Sequence, residues 1–538
     1  MKLAELIIAE ARERGLRHFF GLPGGGSPLD MMEAGRQFGL DFISVAHESS
    51  AGIAAAYYGL VQDTAGLALA VKGVGAGNLA GGAANAYFER APVVCLCETS
   101  PNAVTQAEMV QHCDHTGLFG TLVKYQATLD PADAPATVQQ AVFSATDGRP
   151  GPVLLNLPSD LGVAECGKPL AAHAPASSPP PDAARLAAAA AFMEKLEKPL
   201  VIAGADVIRA GATAELLTLV ENINAAVLVN MDARGVFPES HSHWVGVLTG
   251  NYVPNIIESE IMRQADGALL IGADAMMEHV PWASDLPTCE LVARPEYETQ
   301  SSAPQVRVDG DLKAALQHLS NHVQEGFSDA QTEATRRQIL QHFKRPGQAR
   351  FAAQDIIAIT HGLMPAEGFL FSETGIYITM LERLWPVERP GTYWGTAGGR
   401  TMGLTVPAIL GAKLARPDIP MVGIGADGSM LMRLGELEVF SRTGIAVPLI
   451  IINDRSLGTM KSRQKSRRMP AYSLDLQGVD FAAIAAACGL RGATVDTPEE
   501  FERELKEALQ ADRTTLIDAR VDAQAYQDSF GPTIGVLD

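Results

Sequence analysis

Residues 420–458 read PMVGIGADGSMLMRLGELEVFSRTGIAVPLIIINDRSLG. The apolar run 421–424 leads into a glycine-rich turn, 425–429, then a polar helical segment, then a second apolar run, 447–452, that ends in Asn453-Asp454. Short apolar runs bounded by turn signals fit buried strands. The stretch therefore predicts a strand, turn, helix, strand unit with polar groups collected where both strands end. If the strands are parallel neighbours, Asp427 and Asn453, 26 positions apart, lie side by side. Their carboxylate and amide oxygens are hard ligands of the kind Mg²⁺ takes, usually with phosphate oxygens completing the shell. Gly428 and Ser429 open a helix whose free N–H groups suit such a phosphate. The same residues also fit a structural turn, in which the Asp caps a helix and the Asn closes a strand.

At these residues the chain resembles the thiamine diphosphate (ThDP) enzymes, whose signature is Gly-Asp-Gly followed by Asn after about 25–30 residues. The wider likeness is to the acetolactate synthase, benzoylformate decarboxylase and pyruvate oxidase group, and it runs from residue 1 to near the end of the chain. Ala426 stands where that family has its first Gly; a methyl group there asks for an ordinary φ and removes neither ligand. The resemblance implies an α/β fold of three doubly wound parallel-sheet domains: pyrimidine-binding, central Rossmann-like and diphosphate-binding.

Composition agrees with a globular enzyme. The 538 residues are 47% hydrophobic and 19% charged, enough for about three domains with ample core. A formal charge of −20 and a pI near 5.1 argue against a general nucleic-acid partner, and no apolar run is long enough to span a bilayer. The N-terminus, MKLAELIIAEARERG, spreads charges through an amphipathic pattern and lacks the apolar centre of a signal peptide, which places the protein in the cytoplasm. Six scattered cysteines without a CxxC pair read as reduced and mostly buried.

Two weak joints divide the chain. Residues 171–184, AAHAPASSPPPDAA, look like a linker, and residues 323–350 form a polar, helical crossing. Domains are expected over 1–170, 185–325 and 345–538. The first and last share a plan: a small-residue helix (51–60; 407–415), an apolar run (67–71; 421–424) and a glycine-rich turn (73–78; 425–428). The pattern reads as an internal duplication.

Further motifs take their meaning from the resemblance. Residues 20–26, FGLPGGG, match an FGxPG motif that lies near substrate, so Gly25 and Gly26 imply a roomy floor without a polar side chain. Glu48, in AHESSA, sits at a helix mouth, where a carboxylate is stabilised by about 0.3–1 kcal/mol without any catalytic role. By resemblance it is the catalytic acid that bonds N1′ of the cofactor's aminopyrimidine, so that the 4′ nitrogen takes the thiazolium C2 proton and an ylid forms. The family's Gly-Gln pair after the next strand is replaced by Glu98-Thr99, which speaks against the acetolactate synthase reaction itself. His112 and His115 have the i, i+3 spacing of one helix face and titrate in the right range for proton donors, though an ordinary polar face fits too. Residues 148–153, GRPGPV, match a structural turn, and the strand and glycine patterns at 199–204 and 269–272 suggest a Rossmann-like middle unit. Some relatives hold FAD there; FAD is allowed here but not expected.

In the last block, residues 394–403, WGTAGGRTMG, resemble the family's GLGTMG segment. Met402 then wedges between the cofactor rings, although a methionine also suits an ordinary core gap. The main-chain carbonyl of Arg400, where the family has Gly, accepts from the 4′ amino group, and Gly375 adds to the cofactor-binding set. Beyond Asn453, DRSLGTMKSRQKSRR resembles the segment that supplies the third metal ligand, the Arg455 carbonyl. By the same likeness Leu457 and Gly458 lie near the diphosphate, and Thr459, Met460 and Arg463 line the substrate mouth. The basic run from Lys461 to Arg468 is either a solvated helix face or an attractor for an anionic substrate.

The resulting expectation is a ThDP- and Mg²⁺-dependent lyase or transferase. It would decarboxylate a small 2-oxo acid or ligate its acyl remainder through a carbanion or enamine, as a homodimer or homotetramer in which Glu48 meets the metal block of a neighbouring chain. The competing readings are a true acetolactate synthase or flavin-dependent oxidase, and a non-catalytic scaffold that keeps the fold.

Overall fold

Every residue of the run Pro152–Pro158, PVLLNLP, is buried, the mark of a strand covered by helices on both faces. Such runs recur through the computed structural model, which describes residues 1–101, 110–171, 176–249, 256–277, 284–298, 303–523 and 525. They build three six-stranded sheets in which all the strand pairs are parallel.

The first sheet holds β1 (His18–Gly21), β2 (Asp41–Ser44), β3 (Gly66–Ala70), β4 (Val93–Thr99), β5 (Gln126–Thr128) and β6 (Pro152–Pro158), in the order β2-β1-β3-β4-β6-β5. The central sheet holds β7 (Pro199–Ala203), β8 (Ala226–Asn230), β9 (Trp244–Leu248), β10 (Gly267–Ile271), β11 (Thr288–Val292) and β12 (Val306–Asp309), ordered β12-β11-β10-β7-β8-β9. The last holds β13 (Phe369–Ser372), β14 (Tyr393–Trp394), β15 (Met421–Ala426), β16 (Pro448–Asn453), β17 (Arg491–Val495) and β18 (Thr515–Arg520), ordered β14-β13-β15-β16-β18-β17. Numbered within each sheet, the first and last have the same strand order. The duplication read from glycine and alanine patterns thus has a topological counterpart.

The two repeats pack on each other through matching helices. Glu48–Gln62 and Thr405–Ala415 each precede the third strand of their sheet, and both are rich in Ala and Gly. Small side chains let the backbones approach until a Cβ at Gly411 would overlap the Ala54 carbonyl. One continuous core, from Ala51 and Leu79 to Leu410 and Phe440, runs through both sheets. Burying a Leu or Val side chain stabilises by about 1.5–3 kcal/mol, so this shared core ties the termini of the chain into one body.

The joints differ from each other. Residues 172–175 of the linker lie outside the described residues, and the rest of it reaches the helix Ala183–Met193, capped by Asp182. Within 323–350 a single helix forms, Asp329–Gln341. One sequence expectation needs correction: 425–429 is not a turn. β15 continues through Ala426 and the helix Asp427–Leu431 starts at once, because Ala426 is extended (φ −110°, ψ 159°) and needs no glycine. Three cysteines, Cys95, Cys97 and Cys289, are buried, Cys166 and Cys488 are half-buried and Cys113 is exposed, so burial is less general than the composition suggested; all six are free thiols. Among the described residues no helix is long and apolar enough to cross a membrane.

Candidate cofactor and active site

β15 and β16 pair in register Ala426↔Ile452, so Asp427 and Asn453 follow as neighbours at the carboxyl edge of the last sheet. Both are buried. Asp427 Oδ1 accepts from the N–H of Gly428 at 2.7 Å, whereas its Oδ2 is buried with no hydrogen-bond partner among the described residues. Burial, with the neighbouring charge of Asp454, pushes its pKa up to about 7. That is an acid short of a cation. Asn453 Nδ2 donates to Asp518 at 2.7 Å, which turns its Oδ1 toward the Arg455 N–H at 3.2 Å. The Arg455 carbonyl accepts from Leu476 N–H at 2.8 Å and, having two lone pairs, keeps one for a ligand. Among the described residues no three His, Cys, Asp or Glu side chains gather as a metal site. A cation here would rest on Asp427, Asn453, the Arg455 carbonyl and phosphate oxygens, the incomplete protein set Mg²⁺ commonly uses.

Glu373, which the sequence reading passed over, organises this edge. Buried at the end of β13, it accepts from Ala426 N–H at 3.1 Å and Thr405 N–H at 3.2 Å. It therefore ties the strand before Asp427 to the helix after Met402. Gly425 lies so close that a Cβ would come 2.6 Å from Glu373 Oε1. Burial raises this acid to about 7. The available signal was an acidic residue close after an apolar run, 369–371, much as Asp427 follows the run 421–424.

A cavity of about 840 Å³ opens from this edge toward the central sheet. Gly375, Arg400, Met402, Asp427, Gly428 and Ser429 line one side, and Leu457, Gly458, Thr459, Met460 and Arg463 the other. Leu457 and Met402 close over Gly428: a Cβ there would meet Leu457 Cδ2 at 2.8 Å and Met402 Cε at 3.7 Å. Arg400 has φ +44°, a left-handed conformation that favours glycine. Its guanidinium reaches Glu382 at 3.3 Å, and Glu382 and Thr249 carry the lining onward toward the central domain. Within the basic run, Lys461 pairs with Asp475, while Arg463 is exposed and borders the cavity.

Glu48 lies elsewhere. It is 7% exposed, at the carboxyl edge of the first sheet, and accepts from Asn78 Nδ2 at 3.0 Å. Among the described residues, those lining the cavity come from the central and last thirds of the chain, none from residues 1–171.

Two expectations for the first block are corrected. The floor is open at Gly25, with nothing within 4 Å of an added Cβ, but at Gly26 it does hold a polar side chain: Glu98 Oε1 lies where a Cβ would be, so the missing methyl is filled by a carboxylate. His112 and His115 do not share a helix face, because the helix begins at His115, capped by Asp114. His115 Nε2 accepts from Gly73 N–H at 3.3 Å and its Nδ1 pairs with Asn156 at 3.2 Å, so both ring nitrogens are used. Burial lowers its pKa. His112 Nδ1 meets Ser100 Oγ at 3.3 Å.

The switch point of the central sheet falls between β7 and β10, where such sheets bind nucleotides. Arg149, from the GRPGPV turn, reaches into it. Its guanidinium donates to Asp206 at 2.9 Å, to Asp274 at 3.0 Å and to the Ala273 carbonyl at 2.8 Å, and lies over the Tyr297 ring. The turn is thus an interdomain clasp.

Comparison with known proteins agrees with this geometry. Residues 1–118 match the thiamine pyrophosphate enzyme N-terminal TPP binding domain, residues 186–319 the central domain and residues 373–519 the C-terminal TPP binding domain. The chain is 27% identical to a probable acetolactate synthase large subunit of Methanocaldococcus jannaschii, covering 97% of this chain and 92% of that protein. It is 25% identical to the acetolactate synthase isozyme 3 large subunit of Escherichia coli, covering 97% and 95%. In fold it is similar to the X-ray structure of a putative thiamin diphosphate-dependent enzyme from Mycobacterium smegmatis, with a TM-score of 0.80, 22% identity and coverage of 97% and 99%. With matched segments in all three sheets and the paired strand ends of Asp427 and Asn453 in the last, the chain belongs to the thiamine diphosphate-dependent enzyme family.

Proposed function

We propose that this acetolactate-synthase-like protein is a ThDP- and Mg²⁺-dependent lyase or transferase that cleaves a 2-oxo acid and delivers the acyl remainder to a proton or an acceptor carbonyl. The observation that carries the reading is Asp427: a buried acid whose Oδ2 has no partner among the described residues, set beside Asn453 at adjoining strand ends. ThDP supplies a carbon that adds to carbonyls and an electron sink for the bond then broken. The chain's own residues bind and orient it. Asp427, Asn453 and the Arg455 carbonyl hold the cation, Gly428 and Ser429 face the phosphates, and Met402 with Leu457 closes over Gly428. Arg463 at the mouth favours an anionic substrate.

Glu48 stands apart from this cavity within one chain, and we place it in the site of a neighbouring copy, so that two chains complete two sites. The Arg149 clasp supports reading the central domain as scaffold rather than flavin site. Likeness to acetolactate synthases over nearly the whole chain favours, as a second reading, condensation of two pyruvates; Glu98-Thr99, where the resemblance implies a Gly-Gln pair, stands against it.

The test is a fluorescence titration with ThDP, in Mg²⁺ and in EDTA, joined to a screen of 2-oxo acids, aldehydes and acyl-CoA esters for CO₂ and product. Saturable binding that EDTA abolishes is expected, and Glu48→Gln should retain it while losing turnover. Undiminished turnover in Glu48→Gln would remove Glu48 from the chemistry. Absence of saturable binding would favour a scaffold.

A further inference from the structure

Lys72 and Glu98 follow or close the central strands β3 and β4 at the same sheet edge as Glu48. Lys72 Nζ lies 3.7 Å from Glu98 Oε2, near enough for an ionic interaction but too far for a hydrogen bond. Glu98 is 4% exposed, and among the described residues its Oε1 has no hydrogen-bond partner. Leaving a buried charged acceptor unsatisfied is costly, so a half-paired carboxylate is a poor structural element.

Its surroundings tie it to the site. Oε1 lies against Gly26, and a Cβ at Gly24 would come 3.9 Å from Oε2 and overlap a methyl of Val71. The other Val71 methyl packs at Gly75, where a Cβ would stand 3.2 Å from Glu48 Oε1. A single valine therefore lies between two buried carboxylates on one edge. Glu48 is partnered by Asn78, whereas Glu98 Oε1 is not. His115 cannot serve in its place, since both its nitrogens are engaged.

We propose that Glu98, backed by Lys72, is a proton-transfer group for the carbonyl oxygen of the substrate, a 2-oxo acid or aldehyde. When that carbonyl carbon is attacked, the C=O π pair moves to oxygen. A proton from water completes the hydroxyl. When the carbonyl re-forms, the Glu98 carboxylate, faced by the Lys72 ammonium, takes that hydroxyl proton, the O–H pair becomes the new C=O π bond as the bond to the attacking carbon breaks, and Glu98 passes the proton back to water. The proposal rests on the two-chain reading above, in which this edge faces a neighbour's cavity.

The experiment uses full-length wild type, Glu98→Gln, Glu98→Gly and Lys72→Met. It measures the melting temperature of cofactor-free protein, ThDP affinity by fluorescence, and kcat and KM over pyruvate, benzoylformate and glyoxylate. Glu98→Gln should melt about 2 °C higher, as expected when a half-paired buried charge is removed. Its ThDP affinity and KM should stay unchanged while kcat falls about a hundredfold. Formate should restore part of the turnover of Glu98→Gly, which a packing role would not allow. A lower melting temperature in Glu98→Gln, or a wild-type kcat, overturns the proposal. Failure of wild type to bind ThDP overturns instead the reading on which it rests.

Discussion

Glu436 Oε2 accepts a hydrogen bond from the backbone N–H of Ala46 at 3.1 Å, joining positions 390 residues apart. Three residues before it, Arg433 donates to Ser49 Oγ at 2.9 Å, to Ser50 Oγ at 3.1 Å and to the Gly403 carbonyl at 2.9 Å. The pair thus grips the start of the Glu48 helix and the residue after Met402 together. In the proposed two-chain assembly Glu48 and Met402 serve different sites, so this grip would set both through one chain. Arg433→Met should lower stability by about 2–4 kcal/mol, since it leaves buried acceptors and Glu436 without their cation. Urea unfolding of the variant measures the loss. Glu436→Gln, which keeps an acceptor oxygen for Ala46, should lose about 1 kcal/mol.

The helix pair Glu48–Gln62 and Thr405–Ala415 makes a steric prediction. At Gly411 a Cβ would overlap backbone, the Ala54 carbonyl, and no rotamer change relieves that. Gly411→Ala should destabilise by about 1–3 kcal/mol or more, read as a lower urea midpoint. Gly362 is the control. It is exposed in the helix Ala353–Leu363 with nothing within 4 Å of its added Cβ, so Gly362→Ala should stabilise by about 0.5–1 kcal/mol.

These contacts mark the boundary of what the chain discloses by reading alone. Asp427 and Asn453 were legible because local pattern places both at strand ends, and a parallel pairing does the rest. The repeated small-residue helices were legible for the same reason, and their strand orders coincide. Arg149, Glu373 and Arg433 were not. Each is a polar residue defined by partners far along the chain, Asp206 and Asp274, Thr405, Ser50 and Gly403, and no periodicity points to such partners. His112 and His115 failed differently. Their spacing suggested a helix, but the Asp114 cap starts the helix between them. At Gly26 the absence of a side chain signalled space, and the space is taken by Glu98 from another strand.

Arg383 and Glu258 form a fully buried ion pair, 1% and 0% exposed, with Arg383 also lying over the Phe343 ring. The pair joins the central domain to the helix Ile378–Leu384 behind the cavity. Removing one partner strands a buried charge. Arg383→Met should therefore destabilise by about 3–5 kcal/mol, whereas Arg383→Met combined with Glu258→Leu should recover most of that loss. The pair of urea curves distinguishes the two.

Asp232 makes the protein's stability depend on pH. It follows β8 beside the Arg149 clasp, and among the described residues neither of its buried carboxyl oxygens has a hydrogen-bond partner. Burial pushes its pKa up to about 7 from 3.8; Arg209 opposes the shift and Asp274 and Asp206 add to it. The folded chain therefore holds this proton where the unfolded chain has released it. Between about pH 4 and 7 the native state binds more protons, so this group's contribution to stability falls as pH rises and is smallest above 7. Asp232→Asn carries no titrating proton and removes that slope. It should raise the stability at pH 8 by an amount on the order of a few kcal/mol, given about 1.4 kcal/mol per pKa unit, seen as a higher melting temperature, and change it little at pH 4. Melting curves of both proteins across this range test the sign: a variant no more stable than wild type at pH 8 would mean that Asp232 is held as a paired carboxylate.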